Sequence, residues 1–303
     1  MKKKPIRHHY IPQFILRNFC FNDKSNLFFF DKKTSKMLIK NTKDIFMVKN
    51  LYRDDINNPD EPVKIEKDLA RFENEISQII TKKFLHNNEI TISLKDDEKI
   101  KLFFAVMAFR SNGTRRFFTS KMSEESRAFY STYQKNGDLT DFWKRNLSNL
   151  VNCRSLKDII QHTEIDFPIK AFFQRDILGL FGLYFIVVER RGPLDFIISD
   201  VYPTVISGEL DDGLELPLYN IFPISPDRII LIASNGIESA SKNIVVLPDN
   251  ILKKPKLNPI KKEITIHVRK IYEDEVRHLD SILIKEASEG FAFKTKHRVI
   301  FPA

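Results

Sequence analysis

The feature that most constrains this chain is a double change in the spacing of its apolar residues. Residues 26–30 and 37–40 are β-rich runs around a polar turn at 31–35, which predicts a hairpin. A further extended run at 45–52 ends in the breaker-rich stretch 54–62. From Val63 the period lengthens: Ile65, Leu69, Phe72, Ile76, Ile79 and Phe84 form the stripe of an amphipathic helix. Helices are also expected over 96–133, 139–151, 155–160 and 169–181, with a break or kink at Ser111, Asn112 and Gly113. Short β-rich runs then return at 183–189, 196–199, 204–207, 220–223 and 228–233. Residues 243–262 read as a basic, proline-punctuated connection, 264–285 as a helix, and 291–301 as a closing strand pair. The class is α+β, with a small N-terminal β layer, a helical middle, and a β-rich C-terminal part with a closing helix. Regions 1–62, 63–181 and 182–303 are expected to form one compact body with two lobes.

At 303 residues the chain can bury a large core without disulfides or metal. Its 26 Phe against 9 Gly favour ring packing, and neither a Walker loop nor a GxGxxG turn is present. Cys20 and Cys153 lack metal-site spacing and read as reduced structural thiols. The apolar run after the first lysines is too short for a signal peptide, and no stretch has the length of a membrane span, so a cytoplasmic protein is expected. The net charge of +9 favours polyanion partners through counterion release, although an AT-rich genome produces the same lysine excess. Basic clusters fall at 2–9, Arg115 and Arg116, Arg190 and Arg191, and 253–262, with Arg17 a further binding candidate.

His8 and His9 lead into Tyr10, Pro12, Leu16 and Phe19, a His-Tyr-x-Pro-x-x-x-Leu-x-x-Phe pattern. With Ile65, Glu66, Leu69 and Glu73, Arg110, Ser199 and Asp200, and Phe222, Pro223, Ser225 and Pro226, it resembles a bacterial family known as domain of unknown function 4238. The resemblance covers nearly the whole chain, nominates these positions and implies no reaction. Two departures stand out: Pro203 follows Asp200 by three residues rather than two, and Asp280 stands where the family pattern has Asn.

Arg110 shares a helical stripe with Phe103 and Met107, and a guanidinium there must be paired. Glu66 and Glu73, two turns apart on the preceding helix, are the candidate partners. The pairing reads either as an ion pair fixing helix register or as an anion clamp. In an extended backbone His8 and His9 face opposite sides. His9 reads as a structural histidine, or as a general acid or base that Asp200 orients from a strand end. The remaining histidines show no metal-ligand spacing, and the cofactor is left open.

Two functions of different class follow. One is an enzyme acting on nucleic acid or a nucleotide, an effector in growth arrest or phage defence, with His9, Arg110 and Asp200 as its site and Glu66, Glu73 and His8 in support. The other is a non-catalytic module that binds an acidic ligand, nucleic acid or partner protein. A homo-oligomer is compatible with either.

Overall fold

The computed structural model describes residues 7–21, 25–118, 122–135, 137–177, 183–209, 215–233, 251 and 253–295. Strand β1 (Arg7–His9) leads into the short helix α1 (Gln13–Leu16) and a tight turn at Arg17–Phe19. The expected hairpin forms as β2 (Asn26–Asp31) and β3 (Lys36–Asn41), and β4 (Met47–Lys49) returns antiparallel to β1. Helix α2 (Lys64–Ile79) then buries Ile65, Leu69, Phe72 and Ile76, the stripe legible in the sequence.

Strand β5 (Glu89–Ser93) precedes helix α3 (Leu94–Arg110), whose first turn is capped by Ser93 accepting from the Asp96 N–H. The break falls at Ser111, which ends α3 and caps α4 (Asn112–Arg116) by accepting from the Thr114 N–H. Helices α5 (Glu124–Ser131), α6 (Leu139–Val151), α7 (Leu156–Gln161) and α8 (Phe167–Ile177) complete the middle. The α6 start is a reciprocal capping box between Asp138 and Asp141.

The C-terminal part comprises β6 (Tyr184–Arg190), β7 (Ile198–Ser199), β8 (Thr204–Glu209), β9 (Glu215–Ser225) and β10 (Arg228–Ala233). It continues with β11 (Lys256–Asn258), β12 (Glu263–His267), β13 (Arg269–Ile271), α9 (Glu273–Glu286) and β14 (Gly290–Phe293). The class is α+β. A five-stranded sheet runs β13-β6-β10-β9-β8, a three-stranded one β11-β12-β5 and a four-stranded one β3-β2-β14-β7.

The expected helix over 264–285 is corrected: only α9 is helical, and β12 and β13 occupy Glu263–His267 and Arg269–Ile271. Ile264, Thr265 and Ile266 register against Ile92, Thr91 and Ile90 of β5, a strand without a sequence-based expectation. Matched β-branched rows satisfy each other's ladder, and that cross-strand packing overrides the helical spacing of Val268, Ile271 and Tyr272. The closing strand pair lies elsewhere as well. Strand β14 inserts between β2 and β7, so residues 26–41 share a sheet with the C-terminal region, while residues 296–301 lie outside those described. Gly290 permits this insertion, because a Cβ there would come within 2.2 Å of the Phe30 carbonyl oxygen.

Two hydrophobic clusters fill the body. The larger joins Tyr10, Ile15 and Phe19 to α2, α3 and α6; the smaller lies between the β6-β10-β9 strands, α9 and β14. Within the smaller one, Asp280 accepts a hydrogen bond from the Ile197 N–H at 3.3 Å. Burial holds its carboxyl well above the ordinary carboxylate range, and nearby Asp195 adds to the effect. A protonated Asp280 is nearly isosteric with the Asn of the family pattern.

The folded chain therefore keeps a proton that the unfolded chain releases near pH 4, and stability falls as pH rises above that value. Asp280→Asn should abolish this loss, with a gain in unfolding free energy that grows from pH 4 to pH 8. Urea titrations at the two pH values check it, and a destabilised Asn variant at pH 8 would contradict the protonated assignment.

Candidate functional site

The candidate site is built where α2 and the end of α3 meet the N-terminal segment. Pairing of His8 with Val48 across β1 and β4 turns the His8 ring inward and leaves the His9 ring half-buried. The His8 Nδ1 accepts from the Tyr52 N–H at 2.7 Å, and the two rings stack with centroids 5.4 Å apart. Burial, followed by the field of His9, lowers the His8 pKa to about 4, so the ring is neutral with its proton on Nε2. That buried Nε2–H has no acceptor among the described residues. The His9 Nε2–H donates to the Thr42 carbonyl at 3.1 Å, an oxygen that also accepts from Gln13 Nε2 at 2.9 Å. Burial chiefly, with the field of Arg110, lowers the His9 pKa despite the Thr42 bond.

Arg110 is the hub. Its guanidinium is 1% exposed and donates from Nη1 to Glu73 Oε1 at 2.5 Å, from Nε to the Tyr10 carbonyl at 3.2 Å and from Nη2 to the His9 carbonyl at 3.3 Å. Tyr52 completes the knot, its hydroxyl donating to the same His9 carbonyl at 3.1 Å while its ring lies 5.8 Å from the Arg110 guanidinium. The pairing expected on α2 is thus made by Glu73. The side chain of Glu66, one heptad earlier, takes part in no hydrogen bond among the described residues. Burial pushes its carboxyl up to about 7, with Arg110 opposing and Glu73 reinforcing the shift.

Asp200 is fully buried in a different role. Its two oxygens accept from the Ser288, Glu289 and Gly290 N–H groups and from the Ser288 hydroxyl, at 2.5–3.3 Å. A carboxylate with four donors fixes the turn from α9 into β14. Its charge still reaches the Tyr10 hydroxyl, as do those of Glu289, Arg116 and Arg115. His9 and Asp200 do not bond to each other: the imidazole is spent on Thr42, the carboxylate on the 288–290 turn.

Arg116 pairs with Glu289 at 2.6 Å, whereas Arg115 has no carboxylate partner among the described residues and bonds Asn112 Oδ1 at 2.8 Å. The other basic candidates lie outside the cluster. Arg17 is exposed, Arg190 pairs with Asp227 and Asp195, and Arg191 bonds and stacks on Tyr272. Sequence reasoning gave neither Tyr10 nor Tyr52 a part in the cluster: the family pattern includes Tyr10 without a role, and nothing marked Tyr52.

Among the described residues, no group of three or more His, Cys, Asp and Glu side chains could hold a metal ion, and no helix is long and apolar enough to cross a membrane. Cys20 and Cys153 are buried, and their thiols donate to the Leu16 and Asn149 carbonyls.

Because the Arg110 charge depends on Glu73, Glu73→Gln should cost roughly 2–3 kcal/mol, below the value for a fully enclosed pair because Glu73 keeps some solvent contact. Denaturant unfolding reads this directly, and a cost under about 0.5 kcal/mol, as for surface pairs, would demote the pair.

No curated protein and no solved structure matches the chain. A family model described as "Protein of unknown function (DUF4238)" matches residues 7–297, and the chain belongs to that family.

Proposed function

We propose that this chain is an intracellular enzyme acting on a phosphodiester of nucleic acid or a nucleotide, an effector in growth arrest or phage defence, with Glu66 as its acid–base group. Glu66 carries the reading: a carboxyl with a pKa near 7, partly exposed, free of hydrogen bonds among the described residues and set beside a fixed guanidinium. A group poised near neutral pH both accepts and returns a proton, which is what general acid–base catalysis needs. In hydrolysis Glu66 takes a proton from water as the water oxygen bonds to phosphorus. The ester P–O bond breaks, and the proton passes to the leaving oxygen. The chain's charge of +9 and the exposed Lys253, Lys254, Lys256, Lys261 and Lys262 support a polyanionic substrate. Cys20 and Cys153 as buried thiols fit a reducing compartment.

A second reading, a non-catalytic module for an acidic ligand, is favoured by a specific observation. The His9 ring, the Arg110 guanidinium and the Asp200 carboxylate are all committed to bonds within the fold. On the enzymatic reading these three position the site, and Glu66 touches the reacting atoms.

Expression of the wild type beside Glu66→Gln in a bacterial host separates the two. The enzyme should depress growth and degrade RNA or DNA, while Glu66→Gln, folded to the same extent, should lose about 100-fold or more of the cleavage rate. The wild-type rate should rise with pH through about 7, following ionisation of Glu66. Equal behaviour of the two proteins replaces the enzymatic reading with the binding one.

A further inference from the structure

A cleft of about 430 Å³ opens between α2, the first half of α3 and the corner that joins α6 to α7. That volume lies within the roughly 300–1,000 Å³ of small-ligand pockets. The floor is apolar: Phe72, Leu102, Val151 and Cys153 are each at most 8% exposed. Burial pushes the Cys153 thiol up to about 12, with Asp158 adding to the effect, and the thiol donates to the Asn149 carbonyl. The floor therefore offers packing and no nucleophile. Glu75, on the cleft wall, lies about two and a half helical turns after Glu66, so the cleft is on the opposite face of α2 from that carboxyl.

The rim carries Arg71, Lys95, Lys99 and Arg154 against Glu75 and Glu98. Lys99 is matched by Glu75 at 2.6 Å, and Arg71 is turned to Asp68 at 3.1 Å and to Asn152 Oδ1 at 3.2 Å. The side chains of Lys95, Arg154 and Glu98 take part in no ion pair or hydrogen bond among the described residues. Four cations against two carboxylates leave the lining two positive charges in excess, and an ammonium and a guanidinium are uncommitted. A dianionic phosphate monoester balances that excess, whereas a carboxylate or phosphodiester monoanion answers half of it. The apolar floor asks for a ring beside the phosphate, and Glu98 for a hydroxyl or amino donor.

We propose that this cleft binds a nucleoside monophosphate, with Lys95 and Arg154 holding the phosphate, the base lying on the Leu102 and Val151 floor, and Glu98 accepting from a ribose hydroxyl. A nucleoside lacks the charge that the two cations answer, inorganic phosphate lacks everything else, and a sugar phosphate lacks the ring. The site is separate from Glu66 and does not rest on the phosphodiester reading above: it stands whether or not Glu66 is catalytic.

The full-length chain is titrated with AMP at pH 8, where the phosphate is close to dianionic, and followed by calorimetry and amide NMR. AMP should saturate the resonances of Leu102 and Val151. Adenosine and inorganic phosphate should each bind at least about tenfold more weakly, and ribose 5-phosphate at least about fivefold. Lys95→Gln and Arg154→Gln should each weaken AMP about fivefold or more, the value of one lost bond to a charged group. Both side chains are exposed and unbonded among the described residues, so both variants should unfold in urea as the wild type does. Lys261→Gln removes the same charge from an exposed turn outside the cleft and should bind AMP as the wild type does, as should Glu66→Gln. No saturable shift at Leu102 and Val151, equal affinity for AMP and ribose 5-phosphate, unchanged binding in the Lys95 and Arg154 variants, or an equal loss in Lys261→Gln would overturn the site. Normal AMP binding in a chain whose Glu66→Gln variant behaves as wild type in cells would leave this site standing and sink the catalytic reading alone.

Discussion

The Arg110 guanidinium, buried to 1% exposure, holds the N-terminal half of this molecule in register. A permanently charged group in an apolar cluster is tolerated only when its donors are matched, and the match comes from three places: a carboxylate on α2 and two successive carbonyls of the N-terminal segment. Those carbonyls are exposed to Arg110 only because β1 stops at His9 and the chain turns through Pro12 into α1. One side chain thereby fixes the positions of α2, α3 and the opening strand together. The histidines serve the same end: His8 secures the Tyr52 backbone and His9 secures Thr42, so each imidazole closes a loop of more than thirty residues onto β1.

Much of the architecture was legible because its cause is local. The α2 stripe, the 26–41 hairpin, the Ser111 break and the 139–151 helix all follow from spacing and capping within a few residues of themselves. What was not legible depends on partners distant in sequence. Residues 264–266 carry apolar positions compatible with either period, and only β5, some 170 residues earlier, makes them a strand. The short apolar run of β5 was equally ambiguous until β12 lay beside it. Strand β14 joins the N-terminal hairpin through the absence of a side chain at Gly290, which no periodicity records.

The candidate site divides along the same line. That Arg110 needs a carboxylate, and that α2 offers two at the right spacing, is helix geometry and was available from the residues. Which of the two takes the pair depends on where α3 ends against α2, and the outcome reverses their chemistry: Glu73 is consumed as a counterion, leaving Glu66 desolvated and unpaired. The proximity of Asp200 to Tyr10 reflects a sheet that brings residues 26–31, 198–199 and 290–293 together.

Four carboxyl groups of this fold show how environment alone assigns role. Asp200 receives four donors and fixes a turn; Glu73 bonds the Arg110 guanidinium. Asp280 has one backbone donor and a second acid nearby, and keeps its proton. Glu66 lies between these extremes: burial favours its neutral form, Arg110 favours its charged form, and the balance falls close to pH 7. Of the four, Glu66 is the one in which burial and a facing guanidinium pull in opposite directions with a balance near neutrality.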